Sequence, residues 1–381
     1  MISGTEKYLL EKGLVKQEKG LYHYTSVDAL KKIMDSNTLL ATHMQYMNDW
    51  SEYEQGYEKL IKNLKEIIEK NKEIFRQGEY YTLKEKVKEL PDKCPKTPEE
   101  YREFIVERNR THMEKLLPEV YAVSFCKQSN LLSQWINYAR ENGVCIEFDF
   151  SEFEFICPDV TPEMCDLFGE EVIKKEKVYT QCSPLQVVYD EKAMLQVMIN
   201  DITAYFQKVL GMDKEQIEEQ WWAEMGNVFS IVPFFKNLSF SPEEEVRLAV
   251  RPIHTVLDYR KAQNGRLSGV FKARIYHMES NHVIKPRLKL QWQRNSKKDS
   301  NGGNTPIKSI TVGPGSNQQM TYQSIVHYIE YELDNIPLIE ETERSKLEIA
   351  EVVHTKENGC EKGYVTNKGI IVKKSNIPYI F

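Results

Sequence analysis

No run of about 18 apolar residues occurs in this 381-residue chain, so no membrane-spanning helix is expected. Residues 1–16, MISGTEKYLLEKGLVK, scatter their charges and hold no apolar core segment. No secretory leader is expected from that pattern, and a cytoplasmic protein is. The seven cysteines are odd in number and form no C-x-x-C pair. The thiols therefore read as mostly buried and reduced. Neither G-x-G-x-x-G nor a P-loop is present, which argues against Rossmann and Walker nucleotide sites. Positive charge is not in excess either: 51 Lys+Arg face 57 Asp+Glu, a net charge of −6. A chain of that balance does not bind nucleic acid over its whole surface and would need a local basic patch.

What is present is ordinary for a soluble globular protein: 41% hydrophobic residues and 28% charged. The length allows one large domain or two. There is no internal repeat and no Pro/Ser linker. Strand-like and helix-like segments interleave irregularly, which gives an α+β class. Residues 1–20 read as a helical extension. LYHYT (21–25) reads as a strand, and Ser26 can cap the helix VDALKKIMDS that follows. Leu39 to Met47 reads as extended. A long helix carries Leu60, Leu64 and Ile68 at four-residue spacing, and another is expected near 98–117. YAVSF (121–125) is a strand and 129–140 a helix with Leu131, Trp135 and Tyr138 on one face. GVCIEFDF (143–150) alternates, so Val144, Ile146, Phe148 and Phe150 should face a core and Cys145, Glu147 and Asp149 should face away. Helices are expected at about 189–210, 213–228 and 317–333. Strands are expected at 240–252, 271–278, 282–291, 307–314 and 369–380.

Four signatures can carry chemistry. In Tyr22-His23-Tyr24-Thr25-Ser26, strand alternation puts His23 and Thr25 on one face at the mouth of a helix. A histidine and a hydroxyl there can bind a ribose or an amide, and can equally be a hydrogen-bonded pair within a sheet. In Asn48-Asp49-Trp50-Ser51-Glu52, the Asp49/Glu52 spacing is that of a capping box, which explains the motif structurally. Ser124-Phe125-Cys126 leads to Trp135, Tyr138 and Glu147. These can floor a pocket for a flat ring or simply pack a helix on a sheet. If Phe240 to Pro252 is extended, Glu243, Glu245, Arg247 and Arg251 share a face, with Glu244, Val246, Leu248 and Val250 opposite. Arg247 would then favour the ionised form of Glu245. A mixed-charge surface strand has the same pattern.

Taken in order, these motifs resemble a widespread prokaryotic family, the domain of unknown function twenty-nine seventy-one. Val312-Gly313-Pro314 and Ser375-Asn376-Ile377-Pro378-Tyr379 complete the set, so the likeness runs over about 21–380 and favours one domain. Helical insertions fall at about 50–118 and 185–230. The motif order is also similar to that of ADP-ribosyltransferase folds of the His…aromatic/Ser…Glu type, including toxin enzymes that modify DNA. That resemblance implies a central split β-sheet, NAD as substrate, and a toxin or phage-defence effector that modifies nucleic acid or protein. His23, Tyr24, Thr25 and Asn48 would bind NAD. Ser124 and Tyr138 would line the nicotinamide side. Glu245 would be the catalytic carboxylate with Glu243 beside it, and Arg247 would hold Glu245 or bind pyrophosphate. Tyr46, Phe125 and Tyr138 compete for the aromatic position.

Cleaving the nicotinamide–ribose bond builds positive charge on the ribose, as in glycoside cleavage, and a nearby carboxylate stabilises it. A catalytically inactive nucleotide or nucleic-acid sensor is the second reading, and a hydrolase using Glu243 and Glu245 as acid and base is a third. For an acceptor, residues 272–308 hold nine basic and two acidic side chains. Lys285, Arg287 and Lys289 alternate there and can track phosphates, or form a solvated hairpin. A partner protein of a defence operon is also implied. His277 and Glu279 would share a strand face without His282, so no metal is expected.

Overall fold

Local chemistry sets the first elements. The computed structural model describes residues 4–14, 16, 20–47, 50–88, 90, 120–139, 142–156, 179–181, 184–229, 231–252, 255–260, 266–271, 274–280, 282–294, 305–358 and 362–378. The helix expected near 98–117, residues 295–304 and the Asn48-Asp49 pair lie outside them. Helix α1 (Gly4–Glu11) precedes β1 (Leu21–Thr25) and α2 (Val27–Ser36). The Ser26 hydroxyl accepts the Ala29 N–H at 3.1 Å and caps α2. Asn37 ends it in the left-handed region at φ 51°, a conformation Asn tolerates better than most residues.

Strand β2 (Thr38–His43) is shorter than the extended run expected to Met47. His43 Nδ1 accepts the Gln45 N–H, and the chain turns into a 3-10 helix at Met44–Tyr46. Helices α3 (Trp50–Lys70) and α4 (Gln77–Lys88) follow. Leu60, Leu64 and Ile68 of α3 are buried, as their spacing implies.

Next come β3 (Tyr121–Cys126), α5 (Leu132–Gln134), β4 (Val144–Phe148), β5 (Phe153–Ile156), β6 (Tyr179–Gln181) and β7 (Leu185–Gln186). Helices α6 (Glu191–Lys208) and α7 (Lys214–Phe229) precede β8 (Glu245–Pro252), β9 (Thr255–Arg260), β10 (Arg266–Phe271), β11 (Tyr276–Ser280), β12 (Val283–Arg294) and β13 (Ile307–Val312). Helices α8 (Gln318–Tyr331) and α9 (Glu341–Asn358), then β14 (Tyr364–Val365) and β15 (Ile371–Lys374), complete the order.

The fold is mixed α+β around one large sheet of order β11-β12-β2-β3-β1-β4-β13-β15-β14, with β8 also on β3. Among the described residues, strands β9 and β10 pair only with each other. A strand has two edges, and the pairing of β3 decides the shape of the sheet. β8 pairs with β3 along its full length, from Tyr121 to Cys126. The other edge is shared: β2 takes Tyr121 and Ala122, while β1 meets it only at Tyr22–Cys126. Strands β1 and β2 therefore diverge along that edge, and the sheet forks.

One face of the fork carries an apolar core. Tyr121, Val123 and Phe125 of β3, Val246, Leu248 and Val250 of β8, and Leu288, Leu290 and Trp292 of β12 enter it with residues of α2 and α8. The opposite face meets a second core, in which Ala122 and Ala249 touch the helical layer of α3, α4, α6 and α7. Trp221, Phe234 and Phe235 belong to this core.

Several expectations need correction. Cys145 does not face away from a core: it is 1% exposed and packs with Tyr24, Cys126, Trp135 and Ala139. The π turn lays Trp135 and Ala139 over this side of β4, so alternation alone does not separate core from solvent there. The run from Phe240 is not extended. Leu238–Glu243 is a 3-10 helix, Glu244 turns at φ 44°, and β8 starts at Glu245, so Glu243 does not share its strand face. The helix over 129–140 is only briefly α: α5 gives way to a π turn at Trp135–Ala139. Finally, α9 has no counterpart among the expected helices, because its apolar positions Leu347, Ile349, Val352 and Val353 lie among charges.

Candidate functional site

The fork opens onto a cavity of about 830 Å³. Residues from signatures far apart in sequence line it: His23, Tyr24 and Thr25 of β1, Ser124 and Phe125 of β3, Tyr138 of the π turn, then Glu243, Glu245 and Arg247. His23 leaves β1 towards Phe125, with ring centroids 5.7 Å apart. Ser124, Glu245 and Arg247 leave β3 and β8 on the opposite side, as their pairing Ser124–Arg247 and Cys126–Glu245 shows. Both sets reach one cavity only because β1 departs from β3 after a single paired position.

At that departure the backbone of β3 needs a new partner, and His23 supplies it. Its Nδ1–H donates to the Ser124 carbonyl at 3.0 Å, which leaves Nε2 as an acceptor. Burial pushes the imidazole below its ordinary pKa, so it is neutral. Tyr24 is committed to structure. Its hydroxyl donates to the Gln128 carbonyl and accepts the Leu131 N–H, at 3.0 and 2.9 Å. Its ring lies edge-on to Trp135.

Glu245 sits at the centre of a buried ionic cluster. Oε1 accepts from the Ser124 hydroxyl at 2.7 Å and from Arg247 Nε at 2.6 Å. Oε2 accepts from Arg247 NH2 and from Lys236 Nζ, both at 2.9 Å. Four donors match the carboxylate's acceptor capacity. Burial alone would raise its pKa, but the charges of Arg247 and Lys236 and their hydrogen bonds hold it at about 2. A further Arg247 donor goes to the Pro233 carbonyl at 2.7 Å, so this guanidinium orients Glu245 against the backbone. The Glu245 N–H donates to the Tyr189 hydroxyl at 2.8 Å.

Glu243 is less enclosed. Its Oε2 accepts from Lys236 Nζ at 2.7 Å and its Oε1 from the Tyr138 hydroxyl at 3.4 Å, a weak contact. Lys236, 2% exposed, thus bridges the two carboxylates. Burial would lower its pKa, yet the two glutamates raise it and keep it charged. Sequence reading missed Lys236 and Tyr189. Nothing in their spacing points at the E-x-E pair, and only the loop through Phe234 and Phe235 folds Lys236 beneath it.

Of the competing aromatics, Phe125 and Tyr138 line the cavity, whereas Tyr46 is 37% exposed and packs on His43. The Asn48 position lies outside the described residues. Lys285, Arg287 and Lys289 do share one face of β12, and that face is a wall of the same cavity. Among the described residues no group of three metal-ligating side chains forms, and no helix is long and apolar enough to cross a membrane.

The sequence model of the family described as protein of unknown function (DUF2971) matches residues 134–248, the family that the ordered motifs resemble. That stretch contains the π turn, β4, the helices α6 and α7, and the cluster of Lys236, Glu243, Glu245 and Arg247. No curated protein and no solved structure matches the chain.

Proposed function

We propose that the fork cavity binds NAD and that the protein is an ADP-ribosyltransferase-like enzyme acting on a nucleic-acid or protein acceptor. One observation supports this reading above the others: the split of the sheet at β3 gathers His23, Ser124, Tyr138 and the two glutamates around one cavity. Its volume of about 830 Å³ suits a dinucleotide. The lining residues suit one too: six cationic side chains face three acidic ones. His23 Nε2 offers an acceptor for a ribose hydroxyl, and Phe125 and Tyr138 offer surfaces for a flat ring.

NAD supplies a ribose whose bond to nicotinamide breaks with the electron pair leaving on nicotinamide. A carboxylate is then needed to receive the acceptor's proton. Glu245, saturated and held at about 2, is a poor proton acceptor. Glu243 is the carboxylate with capacity left: one firm partner, one weak one, and a side chain still 12% exposed. In this reading Glu245, Arg247 and Lys236 fix the position of Glu243, and Glu243 does the proton chemistry.

The test combines NAD binding with nicotinamide release and acceptor labelling. Glu243→Gln should still bind NAD and should lose turnover by about 100-fold or more. Full turnover in that variant would remove Glu243 from its role, and a wild-type protein that does not bind NAD would end the reading. The saturation of Glu245 also favours a second reading, a catalytically silent nucleotide sensor. It predicts NAD binding by the wild type with no nicotinamide released.

A further inference from the structure

The wall of the cavity opposite the glutamates is built from β12. Leu288, Leu290 and Trp292 turn into the core, so Lys285, Arg287 and Lys289 turn the other way, into the cavity. A ribbon that tracked a nucleic-acid backbone would present its cations on an open surface. These three are instead half-buried, and the outer end of the strand exposes apolar side chains, Val283 and Ile284 at 48% and 64%.

Arg287 carries the sharpest signal. Its Nε is buried and has no hydrogen-bond partner among the described residues. A buried guanidinium N–H without an acceptor is unfavourable, and an anion in the cavity would offset that cost. Burial lowers the pKa of Arg287, and burial with the charge of Arg287 lowers that of Lys285, so both cations gain from an incoming negative charge. Lys289 is held over the Tyr276 ring, 4.1 Å from its centroid. The acids of the cavity are engaged elsewhere: Glu243 and Glu245 by Lys236, and Asp35 by Lys31.

Register places this wall relative to the glutamates. Arg287 pairs with Thr42, Thr42 with Ala122, and Ala122 with Ala249, one row across the sheet. Three strand spacings put Arg287 about 14 Å from β8. The floor between them is made of the small side chains of Thr42 and Ala122, which leaves room for a ligand to span it.

We propose that Lys285, Arg287 and Lys289 form a diphosphate subsite inside the cavity, with Arg287 as its forked donor and the two lysines as flanking charges. The proposal rests on the nucleotide reading of the same cavity and extends it. It assigns these three cations to the bound ligand's own phosphates and not to a nucleic-acid strand. A planar guanidinium suits two phosphate oxygens at once, which an ammonium does not.

The experiment is calorimetric titration of the full chain with inorganic pyrophosphate, NAD, uncharged adenosine and a short DNA duplex. Wild type, Arg287→Gln, Arg287→Lys and the pair Lys285→Gln/Lys289→Gln are compared, with thermal midpoints as a folding control. The expected result is that Arg287→Gln weakens pyrophosphate and NAD about tenfold or more, leaves adenosine unchanged, and is partly rescued by lysine. NAD held equally by wild type and Arg287→Gln overturns the subsite and leaves the NAD reading standing. Pyrophosphate held through Arg287 with no NAD binding sustains the subsite and ends the NAD reading. Duplex binding that depends on the three cations while pyrophosphate does not bind overturns the subsite in favour of nucleic acid, and binding of neither pyrophosphate nor NAD also overturns it.

Discussion

Replacing Glu245 by Gln removes one charge and almost no volume from the buried cluster. It leaves Arg247 and Lys236, whose side chains are 3% and 2% exposed, with Glu243 as the remaining acid of the cluster. Two independent routes give the size of the effect. Breaking a buried ion pair by removing one partner costs about 3–5 kcal/mol, because the other charge stays buried. The depression of the Glu245 pKa from 4.5 to about 2 corresponds, at about 1.4 kcal/mol per pH unit, to roughly 3 kcal/mol.

The sign follows from linkage. A carboxylate whose folded pKa is depressed contributes fully above the unfolded value of 4.5, and the contribution is lost as pH falls through about 2. Urea unfolding followed by tryptophan fluorescence should therefore show Glu245→Gln less stable than wild type by about 3 kcal/mol at pH 7. The gap should narrow as pH drops below 4.5. Glu243→Gln, at a less enclosed position with one firm partner, should cost only about 1 kcal/mol. A Glu245→Gln penalty below about 1 kcal/mol at pH 7, or one that does not vary with pH, would refute the view of Glu245 as the neutralised centre of the cluster.

Other outcomes follow from packing and burial. A Cβ at Gly313 would lie 2.7 Å from two ring carbons of Trp135. That indole is fully buried and tied by Nε1 to Asn130 at 3.0 Å, so it has little room to yield. Gly313→Ala should cost about 1–3 kcal/mol, and an unchanged thermal midpoint would show that the π turn yields instead. Burial pushes the His43 pKa from 6.5 to about 4, so the unfolded chain binds more protons between those values and wild type loses stability as pH falls through that window. His43→Gln should show a shallower decline of its midpoint from pH 7 to 4.5, and parallel declines would remove His43 as the cause.

Much of the local structure is legible in the sequence. Ser26 and Asn37 bracket α2 because one side chain caps and the other tolerates the left-handed turn, both properties of single residues. The spacing of Leu60, Leu64 and Ile68 marks the buried stripe of α3 because helix periodicity is local. The alternation of β12 told which side chains travel together, Lys285 with Arg287 and Lys289, though not where they go. The extended reading of 240–252 failed at Glu244, where one left-handed residue takes Glu243 off the strand, and no single-residue preference of Glu signals that turn.

Spacing and single-residue preferences were enough for most of the elements, for the paired faces of α3 and β12, and for the residue types with chemistry to offer. Tertiary structure decided what those residues do, because that depends on which edges pair and for how long. β3 gives β1 a single position, and so His23 and the glutamates meet in one cavity. Lys236 arrives under the E-x-E pair through packing of the preceding loop and turns Glu245 from an available base into a satisfied ion. The absence of overall positive charge, which excluded a broad nucleic-acid surface, says nothing about a concave wall. Only the pairing of β12 with β2 brings three cations to face inward together.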